Sequence, residues 1–181
     1  PEALQLLPLI LHAGRRADNL EPCLVADAID CGAREQVEWL LDRGVKLDFV
    51  FPEGFSIDEL TRYAPLVAAL DPDNAEEGAQ IVRLLLDHGA YADCEVNVRP
   101  LFDIGIGILV PFPFQTTPLA IAAGFGAEVI MDLLLSHGAS PDGSHGFQGW
   151  VYSDDYLPVK GAVDSGKVEI LRKLLDAGLN L

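Results

Sequence analysis

Leucine-rich runs that stop at a glycine punctuate the chain: Leu9 to Gly14, Trp39 to Gly44, Leu84 to Gly89, Leu133 to Gly138 and Lys173 to Gly178. Their glycines lie 30, 45, 49 and 40 residues apart. Each run has the pattern of the last turns of an amphipathic helix, closed by a glycine that takes the left-handed conformation without a Cβ penalty. His88 and His137 stand just before two of these glycines. An imidazole there complements the negative end of the helix dipole, so both are expected to be helix-end residues rather than ligands or bases.

A shorter helix rich in small residues is expected before each long one, because two helices must approach closely there. The clearest case is Thr117 to Gly126, followed by Glu128 to Gly138. Thr117 is a good N-cap, and Pro118 fits the first helical position, where no backbone donor is needed. Cys23 to Gly32 precedes Glu35 to Gly44 in the same way, and Leu157 to Gly166 precedes Val168 to Gly178. Ala64 to Ala69 opens another pair, in which Asp71 to Gly78 is expected to lengthen the turn before Ile81 to Gly89. Ala3 to Ala13 is expected to form an opening cap helix, kinked by Pro8 or starting near it.

The stretch Thr117-Pro-Leu-Ala-Ile-Ala resembles the ankyrin signature T-P-L-H-x-A, which recurs at a period of about 33 residues. Ala120 stands where the signature has histidine, so a buried loop-to-helix hydrogen bond is lost and this copy relies on packing. The resemblance extends over about four in-register copies plus the tail of one before Gly14. It implies an all-α fold, an ankyrin-type helix-turn-helix solenoid with long loop or hairpin insertions. The chain then reads as one domain, with residues 1–20 a cap or partial repeat and 21–62, 63–115, 116–156 and 157–181 the repeats. The resemblance also implies a concave surface of loops and short helices that grips a partner protein. Leu179-Asn180-Leu181 is apolar where a solenoid end normally wears a polar face, which predicts a continuing chain or a covered end.

Three segments between helix pairs are enlarged: Val45 to Tyr63, Ala90 to Thr116 and Ala139 to Tyr156. Apart from Trp39 and Phe125, every aromatic residue of the chain falls in them. Loops usually carry polar residues because their backbone stays near water, so aromatics there either build small local cores or face a partner. Insertions in a solenoid map to one side, where these rings would converge. The candidate binding residues are Phe51, Phe55, Tyr63, Tyr91, Phe102, Phe112, Phe114, Trp150, Tyr152 and Tyr156. Within this set, Phe102 to Phe114 alternates glycine with isoleucine and then reads Pro-Phe-Pro-Phe. Its G-x-G lacks the following helix start and Lys-Ser/Thr of a phosphate loop, and the pattern predicts an extended hairpin or flap.

A net charge of −16 removes two classes of partner. Nucleic acid requires clustered Lys and Arg, and an anionic membrane repels an acidic chain. A protein with a basic or mixed surface, a cation or a neutral ligand remains compatible. The longest apolar stretch, Ile104 to Phe114, is too short to span a bilayer, and no signal-peptide pattern opens the chain. Cys23, Cys31 and Cys94 show no CxxC spacing and read as buried free thiols, which predicts an intracellular, cytoplasmic protein. The loop carboxylates, Asp93, Asp142, Asp154 and Asp155 among them, read as solvated charges, and His145 reads as an exposed loop residue. No EF-hand spacing, other metal site or cofactor motif is present.

Two readings follow. The first is a non-enzymatic module that binds a protein through an aromatic-rich finger face. The second is a protein that binds a hydrophobic small molecule in a pocket of the fingers. It includes a cofactor-independent isomerase, cyclase or hydrolase using a loop Asp, Tyr or His.

Overall fold

Four of the five glycine-ended runs close helices, while the run Leu9 to Gly14 and the cap helix expected over Ala3 to Ala13 lie outside the described residues. The computed structural model describes residues 20–47, 65–70, 75–94, 96–98, 101–103, 109–111, 114–143 and 157–180. Among these lie eight helices that follow one another in pairs. They are α1 (Leu20–Asp30) with α2 (Arg34–Leu41), and α3 (Pro65–Ala68) with α4 (Ala75–Asp87). Then come α5 (Pro118–Phe125) with α6 (Glu128–Ser136), and α7 (Pro158–Asp164) with α8 (Val168–Asp176). First helices pack on first helices, α1 on α3 and α5 on α7, while α4 lies between α2 and α6. Among the described residues no helix is long and apolar enough to cross a membrane.

The caps explain why the pairs turn where they do. Gly32, Gly44, Gly89, Gly126, Gly138, Gly166 and Gly178 all have positive φ. Behind five of them the next residue's N–H reaches back to a carbonyl of the last turn: Ala33 to Ala28 (2.8 Å), Ala90 to Leu85 (3.0 Å), Ala127 to Ala122 (2.9 Å), Ala139 to Leu134 (3.0 Å) and Leu179 to Leu174 (2.9 Å). That closure needs a left-handed residue between the helix and its exit, which glycine supplies. His88 and His137 take the expected places, each with Nδ1 2.8 Å from the carbonyl oxygen four residues back. At the other end of a helix, Thr117 is extended and its Oγ1 accepts from the Ala120 N–H at 3.3 Å, with Pro118 following as the first helical residue.

The core follows the same spacing. Leu40, Leu85, Leu134 and Leu174, each four residues before a closing glycine, are essentially inaccessible. Burying a side chain of this size contributes roughly 1.5–3 kcal/mol, against about 1 kcal/mol for a cap. The leucine column therefore holds the pairs, and the caps set their direction.

Two expectations are corrected. Asp71 to Gly78 is not all turn: α4 begins at Ala75 and runs 13 residues. Glu76 and Glu77 favour a start there beside the positive helix end, and Gly78 is buried within the helix. The thiols are not uniformly buried either, since Cys31 is exposed beside the turn at Gly32 and Cys94 is half-buried.

The expected hairpin is present and longer than its sequence signal. β1 (Val96–Val98) pairs antiparallel with β4 (Phe114–Thr116), and β2 (Leu101–Asp103) with β3 (Leu109–Pro111). The two ladders share one register: three residues separate Val98 from Leu101 on one strand and Phe114 from Pro111 on the other.

The closest approach in the stack is between α5 and α7. A Cβ added at Gly161 would sit 2.7 Å from the Ala120 carbonyl oxygen and 2.8 Å from the Gly124 nitrogen. A Cβ added at Gly124 would meet the Gly161 Cα at an ordinary 3.9 Å. Gly161→Ala should therefore lose about 1–3 kcal/mol to overpacking, outweighing the roughly 0.5–1 kcal/mol that alanine gains in a helix. Gly124→Ala should keep or slightly raise stability. Urea unfolding of both variants checks this contrast, and equal midpoints for the two would contradict it.

Candidate functional site

The segments leaving α4, α6 and α8 are tied in sequence by bonds of one kind. Asp93 Oδ1 accepts the backbone N–H of Ser140 at 3.3 Å. Asp142 Oδ1 accepts the backbone N–H of Asn180 at 2.7 Å, and its Oδ2 accepts from the Asn180 side-chain amide at 2.8 Å. Each aspartate is the fourth residue after a helix-closing glycine, and each N–H belongs to the second residue after the next such glycine. The expectation of solvated charges at Asp93 and Asp142 is thus corrected: each carboxylate satisfies a donor in a neighbouring loop. Loops without regular structure must place their backbone donors somewhere, and these two use the preceding pair's carboxylates. The signal was visible as an aspartate recurring at a fixed distance from glycine.

Tyr91 stands two residues before Asp93 and is 63% exposed, so this ring is not a loop anchor. Phe102 and Phe114 lie on the hairpin, with Phe102 opposite Val110 and Phe114 opposite Val98. These three candidates belong to one connected segment that leaves α4 and returns to α5. Phe51, Phe55, Tyr63, Phe112, Trp150, Tyr152 and Tyr156 lie outside the described residues, as do Asp154, Asp155 and His145. The two helical aromatics are where the pattern put them. Trp39 is half-buried on α2 beneath the Arg43 guanidinium, 3.3 Å from its ring centroid, and Phe125 ends α5 half-exposed.

A groove that the sequence did not signal opens on the long-helix side. It encloses about 700 Å³ between the Glu76–Asp87 face of α4 and the first turn of α6. Its origin is the length of α4, whose 13 residues overhang the nine of α6 by a turn. Arg34 of α2 closes one side by donating to Gln80 Oε1 as well as to Glu38. Val129, 60% exposed, leaves apolar surface on its floor. Charges of both signs line it: Arg34 and Arg83 against Glu76, Asp87 and Glu128. Among the described residues no three His, Cys, Asp or Glu side chains gather as a metal site would require.

No known family model matches the chain, and a search of curated proteins returns no relative.

The paired loop bonds make a local prediction. Asp142→Ala should cost about 1 kcal/mol, the usual net value of such a bond, with the effect concentrated at the Asn180 amide. Hydrogen exchange at Asn180 should accelerate while amides of α4 and α6 keep their protection. Unchanged exchange at Asn180 would show that the bond contributes nothing in solution.

Proposed function

We propose that the chain is an ankyrin-type repeat stack that binds a partner protein along the edge formed by its inter-repeat segments. The observation that carries this reading is the repeated bond from an aspartate after one closing glycine to the loop after the next. Such a bond serves to hold successive loops in fixed relation, and a series of loops held this way is a preformed surface. A preformed surface loses less entropy on binding than mobile loops do.

The chemistry of that edge supports a protein partner. Tyr91 keeps its ring in solvent, and the hairpin carries Phe102 and Phe114. Aromatic residues of this kind are the usual anchors of a protein interface. The net charge of −16 favours a partner with a basic or mixed surface, with attraction speeding encounter and apolar contacts supplying affinity. The alternative, a hydrophobic pocket among the fingers with isomerase, cyclase or hydrolase chemistry, gains no support from the described groove. That groove is walled by α4 and α6 and has charges of both signs.

The test compares proteins retained by the wild-type chain and by a Tyr91→Ala/Phe102→Ala/Phe114→Ala variant, identified by mass spectrometry after equal far-UV circular dichroism has been confirmed. Each anchor removed should weaken a genuine partner by about 2 kcal/mol, or roughly 30-fold in Kd. A partner retained equally by both proteins would move the binding site away from this edge.

A further inference from the structure

We propose that the groove along α4 is a second docking surface, which takes an amphipathic segment of a partner protein with basic residues at both ends and an acidic or neutral residue between them. None of the residues lining it belongs to the enlarged inter-repeat segments. This surface is therefore separate from the aromatic edge and stands or falls without it.

The floor of the groove is apolar where the rest of the stack is polar. Nine residues before the glycine that closes each long helix stand Glu35 on α2, Gln80 on α4 and Glu169 on α8, all exposed. A polar residue is what a solvated helix face ordinarily carries. On α6 the same position holds Val129, which is 60% exposed. Beside it the groove is lined by Ala79 and Ile130, both buried, and by Leu84, which is half-buried. Val129 adds little to the core at that exposure, and its apolar surface remains free for a partner.

Charge selects the partner by its order along the groove rather than by its sum. Glu76, Gln80, Arg83 and Asp87 are spaced four, three and four residues apart and so share one face of α4. Carboxylates stand at the two ends of this row, roughly 16 Å apart at the rise of an α-helix, with a guanidinium between them. Glu128 adds a carboxylate from α6. The charge of Arg34 is matched within the wall by Glu38 at 2.9 Å, and its other contact holds Gln80. Asp87 has His137 Nε2 at 3.7 Å. Glu76, Arg83 and Glu128 have no hydrogen-bond or ion-pair partner among the described residues. A segment that lays apolar side chains against Ala79, Leu84 and Val129 brings its ends to Glu76 and Asp87, which attract lysine or arginine. Its middle comes to Arg83, which repels them. The wrong charge order sets like charges together, and a groove built this way rejects it.

Two labelled peptides of about three helical turns test this by fluorescence anisotropy with the 181-residue chain. Both contain the same leucines, two lysines and one glutamate. In the first the lysines are terminal and the glutamate central, and in the second the lysines are central and the glutamate terminal. Equal composition makes the general attraction to a chain of net charge −16 equal. The chain should bind the first peptide about tenfold more tightly than the second. Val129→Gln, which installs the kind of residue the other long helices carry, should weaken the first peptide about tenfold. Glu76→Gln/Glu128→Gln should abolish the preference between the two. Circular dichroism melts matching the wild type check the fold of both variants. Equal affinity for the two peptides, preference for the second, or no binding of the first overturns the proposal. So does a first peptide whose affinity Val129→Gln leaves unchanged.

Discussion

A single helix pair cannot bury both of its sides, and this constraint governs the molecule. Leu40, Leu85, Leu134 and Leu174 fill the inside of each pair, but residues such as Ile29, Leu41 and Leu86 become buried within a stack. Between α5 and α7 backbone approaches backbone at Gly161, where Ala120, Ala123 and Ala162 are buried together.

Direction comes from the caps. A helix that ends in a left-handed glycine, with the next N–H bonded back into the last turn, leaves at a defined angle. The same closure behind Gly89, Gly138 and Gly178 precedes the neighbouring exits of α4, α6 and α8. There Asp93 and Asp142 each take a backbone donor from a neighbouring loop, so the edge is organised by hydrogen bonds where the core is organised by apolar packing. Between α4 and α5 two antiparallel ladders, β1 with β4 and β2 with β3, share one register. Scaffold and insertion thus answer to different forces.

The helices were legible because period and punctuation agreed. Thr117 and Pro118 marked a start, Gly126 and Gly138 marked two ends, and His137 fell where a helix terminus needs a donor. The reading failed where a local signal had a tertiary answer. Gly78 looked like part of a turn, yet it lies buried inside α4. Asp93 and Asp142 looked solvated because their acceptors' partners lie 47 and 38 residues away. Of the proposed aromatic site, Tyr91, Phe102 and Phe114 fall on one connected segment, and Tyr91 is exposed as a contact residue must be.

By itself the sequence determined what depends on near neighbours along the chain: where helices begin, where glycine ends them, and which residues face inward. Backbone geometry and the 3.6-residue period act within a few residues, so their signals survive in one dimension. Only the tertiary structure decided what depends on distances across the stack. The groove between α4 and α6 and the carboxylates that tie one loop to the next both arise from how pairs lie against one another. No local pattern encodes those distances, because they are set by the summed volumes and hydrogen-bond needs of residues far apart in the chain.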